Sequence, residues 1–133
     1  MFLYILEISD IEVEMVSIKV TALWVEDGKS NISFVSPVLD DKKLNYDSDA
    51  FGYGCVENYE QSGIERYPFV MEDFGDGLAL LDWGSTIEKN TATLDVLDRP
   101  LSVGGIITYN ETDEDGVQHG PYSYRISSIE PFA

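Results

Sequence analysis

His119 is the only histidine among 133 residues and Cys55 the only cysteine, so a histidine-based dyad must use the first and a thiol nucleophile the second. His119 precedes Gly120-Pro121 in a turn-rich segment. Paired with Cys55 or a serine it would make a dyad; alone, it reads as an exposed loop residue. A single cysteine can form neither an intrachain disulfide nor a multi-thiolate metal centre. The chain contains no Gly-x-Gly-x-x-Gly, P-loop, Gly-x-Ser-x-Gly or His-Glu-x-x-His. Carboxylate pairs suited to glycoside hydrolysis occur at many spacings among 25 acids, so no one pair carries weight. The expectation is a protein without a catalytic residue, cofactor or metal.

Three acidic segments remain. Glu111-Thr112-Asp113-Glu114-Asp115-Gly116 places acids at alternate positions before a glycine, as a calcium loop does. The match fails at its first ligand, which would be Glu111, and at its twelfth, which is Tyr122. A solvated hairpin tip is the expectation. Asp40, Asp41, Asp47 and Asp49 surround Tyr46 in a polar stretch, and Glu72-Asp73-Phe74-Gly75-Asp76 sets an aromatic inside an acidic run. Polar loops need such residues for solvation alone. As a binding surface, the same residues would give an anionic docking patch with aromatic anchors. The candidate partner-binding residues are therefore Asp40, Asp41, Tyr46, Asp47, Asp49, Glu72, Asp73 and Asp76.

The whole chain shares this charge. It holds 25 acids and 8 bases, a formal net charge of −17, while 44% of its residues are hydrophobic and 12% aromatic. That apolar content supports a core, so acidity here does not signal disorder. Residues 1–66 carry a net −8 and residues 67–133 a net −9, so the excess is not a tail. A surface of this sign repels nucleic-acid phosphates and anionic lipid, which argues against direct binding to either. No apolar run approaches a membrane span, and Phe2–Leu6 stops at Glu7, Asp10 and Glu12 with no basic leader. A soluble cytoplasmic protein is expected. Eight tyrosines and two tryptophans could line a carbohydrate or small-ligand groove. Alternation assigns Trp24, Tyr122 and Tyr124 to the core, and leaves Tyr46, Tyr53, Tyr59 and Tyr67 as the better candidates for exposure.

The elements that must position these residues read as strands. Phe2–Ile8 predicts a first strand, and Ile11, Val13 and Met15 alternate with acids. The alternation shifts by one at Met15–Val16, as a bulge would produce, before Ile18, Val20, Ala22 and Trp24. Glu26-Asp27-Gly28-Lys29 predicts a turn leading to Ile32 and Phe34. Phe51–Val56 reads as a glycine-loosened strand and Glu57–Arg66 as a loop or one short helix. Tyr67–Phe74 and Leu78–Trp83 predict strands joined at Gly75-Asp76-Gly77, and Thr91–Leu97 alternates again. Val103–Tyr109 and Tyr122–Ile129 predict a hairpin with a long polar tip over 110–120. The sum is an all-β, single-domain antiparallel barrel or sandwich spanning 1–133, with seven to nine short strands and at most one short helix.

A small, acidic, cysteine-poor β protein without a catalytic motif is similar in composition to toxin-neutralising immunity proteins and phage-encoded inhibitors. That resemblance implies an inhibitor of a basic partner, such as a nuclease toxin, whose phosphate-receiving surface the acidic loops would occupy. A structural module of a phage or secretion system, and a small ligand-binding β-barrel or enzyme, are the other two expectations.

Overall fold

The computed structural model describes residues 16–84 and 90–132. Eight strands follow one another: β1 (Ser17–Trp24), β2 (Asn31–Pro37), β3 (Gly52–Glu60), β4 (Gly63–Gly75), β5 (Leu78–Asp82), β6 (Thr91–Leu94), β7 (Ile106–Thr112) and β8 (Gln118–Phe132). Each pairs antiparallel with its neighbour in sequence, and β8 returns to β1. The sheet is thus a closed up-and-down barrel, which leaves no open edge. Of the two architectures the sequence allows, the barrel is the one formed. There is no helix among the described residues.

Closure follows from the period-two pattern. Along β1, Val20 and Ala22 are fully buried while Lys19 is exposed; along β8, Tyr124 and Ile126 are buried while Ser123, Arg125 and Ser127 face water. Eight such half-buried strands have only one face each to hide, and closing the sheet on itself hides all of them. Phe34, Ile32, Met71, Leu81, Leu94 and Ile107 fill the interior, with Ala22, Ala79 and Ala92 as small partners. Gly52 and Gly54 are better explained by close approach than by looseness. A Cβ on Gly54 would lie 2.1 Å from the Ser33 carbonyl oxygen, so only glycine lets β3 lie against β2 there.

Four expectations change. Glu57–Arg66 is neither loop nor helix: β3 and β4 continue through it, pairing Glu57 with Arg66 and Glu60 with Gly63. The C-terminal hairpin also runs further, to Thr112 opposite Gln118, so its tip is 113–117 rather than 110–120. In both places the strands project past the barrel's core, both faces are wet, and the alternation that marks a strand is lost. The sixth strand stops at Leu94, although Val96 and Leu97 remain buried beyond it. The seventh begins at Ile106 rather than Val103. The strands expected over Phe2–Ile8 and Ile11–Met15, and the bulge at Met15–Val16, lie outside the described residues. The β1–β8 register instead shifts at Thr21/Ala22.

The two ends of the barrel differ. The end where β2, β4 and β6 finish is plugged by Leu44, Phe51, Val96, Leu97 and Leu101, all buried. Its connections are tied together by Leu101 N–H to the Lys42 carbonyl at 3.3 Å and Leu97 N–H to the Gly77 carbonyl at 3.0 Å. The opposite end, where β1, β3, β5 and β7 finish, has no such apolar plug among the described residues.

Candidate functional site

The inward-facing residues change character along every strand toward the open end. On β1 they run Val20, Ala22, Trp24; on β4, Met71, Phe69, Tyr67; on β8, Ile126, Tyr124, Tyr122. The inward positions of β5 end at Trp83 and those of β7 at Glu111, just as those of β3 end at Asn58. Ser30 and Asn90 occupy the same level immediately before β2 and β6. All eight terminal residues line a cavity of about 440 Å³, whose lining also includes Tyr59, Glu60, Tyr109 and Tyr124. The interior is therefore a cup, with a dry apolar base and an amphipathic rim. Its volume is in the range that accommodates small organic molecules.

Two aromatic walls face each other across the cup. Trp24 packs edge-on against Tyr122 at 6.1 Å, and Tyr122 and Tyr124 both contact Tyr109. Trp83 meets Tyr67 at 6.3 Å and Phe69 at 5.9 Å, again edge-on. β1 and β5 lie four strands apart in a ring of eight, as do β8 and β4, so the two clusters are diametrically placed. Edge-to-face packing rigidifies each wall. The indole N–H of Trp83 is buried with no hydrogen-bond partner among the described residues. A buried donor without an acceptor is costly, and a bound molecule could relieve it.

The polar groups of the rim are held in place. Glu111 accepts hydrogen bonds from Asn90 Nδ2 at 2.5 Å and from the Tyr109 hydroxyl at 3.3 Å, one on each carboxylate oxygen. Burial, with the Glu111 charge beside it, pushes the Tyr109 phenol well above its ordinary value. Burial likewise pushes Tyr124 up to about 12, with help from Asp27 and Tyr122. Both hydroxyls therefore stay neutral donors at physiological pH. Ser30 donates to Asp27 at 2.6 Å and accepts from the Tyr59 N–H at 3.1 Å, tying the β1–β2 turn to β3. On the outer wall Arg66 Nε meets Glu57 at 2.8 Å, which holds the Glu57 carboxyl below the usual range.

No protein-family model, curated protein or solved structure matches the chain. Its own geometry is the guide to function.

Most of the sequence-predicted site lies at the other end. Asp40, Asp41, Tyr46, Asp47 and Asp49 belong to the β2–β3 connection, while Glu72 and Asp73 lie near the end of β4 and Asp76 in the β4–β5 turn. The fold brings both sets to the plugged end, where the charges of Asp73 and Asp47 act on the Tyr46 hydroxyl. Asp40, Asp41, Asp47, Asp49, Asp73 and Asp76 are exposed and Glu72 is half-buried. Some of these acids also shape their own loops. Asp41 accepts from the Lys43 N–H at 3.1 Å and Asp73 from the Gly75 N–H at 2.9 Å. Tyr46 is not freely exposed, for its ring packs against Phe51 and the core cluster.

The remaining candidates do not converge. His119 sits by the exposed hairpin tip, 3.0 Å from Asp113, while Cys55 lies on β3 between Ser33 and Pro68. Asp113 also accepts from the N–H groups of Asp115 and Val117, so it organises the turn. Glu111, Asp113 and Asp115 do not form a metal-ligating group, and none of three or more ligands occurs among the described residues. Sequence reasoning placed Trp24, Tyr122 and Tyr124 in the core and Tyr59 and Tyr67 in the open. They share one cavity, together with Trp83, Tyr109, Asn58 and Asn90, which it did not single out, and Glu111, which it weighed only as a calcium ligand. The available signal was the gradient itself, which becomes visible only once strand directions are assigned.

Proposed function

We propose that the protein is a binding protein that holds a small amphipathic molecule in the open end of its barrel. The observation that carries this reading is the 440 Å³ cavity with an aromatic lining, set above a filled apolar base. A concave site with rigid aromatic walls and a few convergent polar groups is the usual form of a ligand pocket. An eight-stranded barrel is also about the width that either fills with side chains or holds one small ligand. Here the lower half does the first and the upper half leaves room for the second. Binding is favoured over catalysis because a Cys–His or Ser–His dyad would need His119, which is not in the lining.

The test uses a neutral environment-sensitive dye, N-phenyl-1-naphthylamine, titrated against the folded protein. Saturable enhancement at one site per chain is expected, with loss in Asn58→Phe, which places a ring in the cup at a half-buried position. Linear, non-saturating enhancement, or an Asn58→Phe variant that binds as well as the parent, would overturn the reading.

A second reading rests on a separate observation, the gathering of Asp40, Asp41, Asp47, Asp49, Glu72, Asp73 and Asp76 at the plugged end. In it, that end docks a basic protein such as a nuclease toxin, with the acids steering approach and Tyr46 contributing contact area. The two readings use opposite ends of the barrel and do not compete for residues.

A further inference from the structure

We infer that the cup selects organic cations: an ammonium or guanidinium group attached to an apolar body. This rests on the ligand-binding reading above and adds the charge of the ligand to it. Three features of the cup support the assignment.

The first is the balance of charge in the lining. Glu60 and Glu111 contribute two carboxylates, and no Lys, Arg or His is present among the described lining residues. The nearby guanidinium of Arg66 is engaged by Glu57 on the outer wall. An anionic ligand would enter this mouth against both local charges and the field of a protein carrying −17.

The second is the aromatic surface. The faces of Trp and Tyr rings carry negative electrostatic potential and attract a cation placed over them. Trp24 and Tyr122 line the cup on one wall and Trp83 on the opposite one, so a cation between them has aromatic rings on two sides. Neutral hydrocarbon would gain burial here but not this attraction.

The third is the placement of Glu111. Its two oxygens are oriented by Asn90 and Tyr109, and each keeps lone-pair capacity after accepting one hydrogen bond. A carboxylate held in place at the edge of an aromatic enclosure can accept from an ammonium without reorganising. The Trp83 N–H meets no acceptor among the described residues, so a ligand that also carries an oxygen acceptor near its apolar body would fit best.

The experiment compares 4-phenylbutylamine, 4-phenylbutanol and 4-phenylbutanoate, which share one skeleton and differ in charge. The readout is tryptophan fluorescence, because both tryptophans of the chain line the cup. The amine is expected to bind at least about tenfold more tightly than the alcohol, and the carboxylate more weakly still. Glu111→Gln should reduce amine affinity several-fold and leave alcohol affinity unchanged. Equal affinity for amine and alcohol, preference for the carboxylate, or no binding by any of the three overturns the cation assignment. Saturable dye binding separates that failure from failure of the ligand-binding reading, since the dye carries no charge. An unchanged amine-to-alcohol ratio in Glu111→Gln would also overturn it.

Discussion

The hydroxyl of Tyr46 donates a 2.5 Å hydrogen bond to the carboxylate of Asp98, joining the β2–β3 connection to the β6–β7 connection beneath the barrel. The contact spans 52 residues of sequence and sits beside the ring packing of Tyr46 on Phe51. It fastens two long connections over a plug made largely of their own apolar residues, Leu44, Val96, Leu97 and Leu101. Accepting from the phenol, Asp98 holds the Tyr46 hydroxyl above its ordinary pKa, reinforced by partial burial and by the charges of Asp98, Asp73 and Asp47.

Tyr46→Phe keeps the ring and removes the bond. The variant is expected to fold with a lower urea midpoint, and its alkaline absorbance titration should lose one late-ionising tyrosine. An unchanged midpoint together with an unchanged late phase would show that the two connections are held by their apolar packing alone.

Gly54→Ala tests the β2–β3 register. The added methyl would sit 2.1 Å from the Ser33 carbonyl oxygen and 2.8 Å from Phe34 Cα, both backbone atoms that cannot swing aside. Overpacking of this kind costs about 1–3 kcal/mol, and a backbone clash belongs at the upper end. Chemical denaturation of the alanine variant should show that loss. Parent-like stability would mean that the two strands are not in this register.

Much of the fold was legible because one face of each strand is dry. Val20 and Ala22, or Tyr124 and Ile126, declare their face at once, and Gly75-Asp76-Gly77 declares its turn through the left-handed backbone all three adopt. The hairpin 57–66 was not legible, because Glu57, Asn58, Tyr59, Ile64, Glu65 and Arg66 project beyond the core and both faces meet water. The cup was hidden for a related reason. An inward tyrosine at the mouth has the same alternation as one in the core, and only its height along the barrel distinguishes them. The acidic clusters were visible in sequence, but their meeting at one end depends on β2, β4 and β6 all running the same way.

The phenol of Tyr124 makes the barrel sensitive to alkali. Burial raises its folded pKa to about 12, first through desolvation and then through Asp27 and Tyr122. Its unfolded value is about 10. A raised folded pKa gives stability that is complete below the unfolded value and is lost as pH climbs through the folded one. The window is therefore between about pH 10 and about pH 12. Tyr124→Phe removes the ionisable group and keeps the ring, so circular dichroism should show a shallower loss of structure across that window. Tyr109, shifted in the same direction, should account for part of the residual slope. An alkaline limb as steep as the parent's would assign the effect elsewhere.

The plugged end predicts a localised electrostatic effect that total charge alone would not give. At physiological salt, charges act over about 8 Å, so acids at one end influence a partner arriving there far more than one arriving at the other. Asp47→Asn/Asp73→Asn/Asp76→Asn removes three charges while sparing the local structure. The amide that replaces the Asp73 carboxylate would still present an oxygen to the Gly75 N–H, and asparagine tolerates the positive φ of 57° at Asp76. Glu26→Gln/Glu114→Gln/Asp115→Asn removes the same number at the open end. With an oligolysine peptide as the basic probe, the parent's association rate should fall steeply as salt rises. The plugged-end triple variant should lose most of that dependence and the open-end triple variant little of it. Equal behaviour of the two would show that the charge acts as a diffuse field, and the docking reading for Asp40–Asp49 and Glu72–Asp76 would fail.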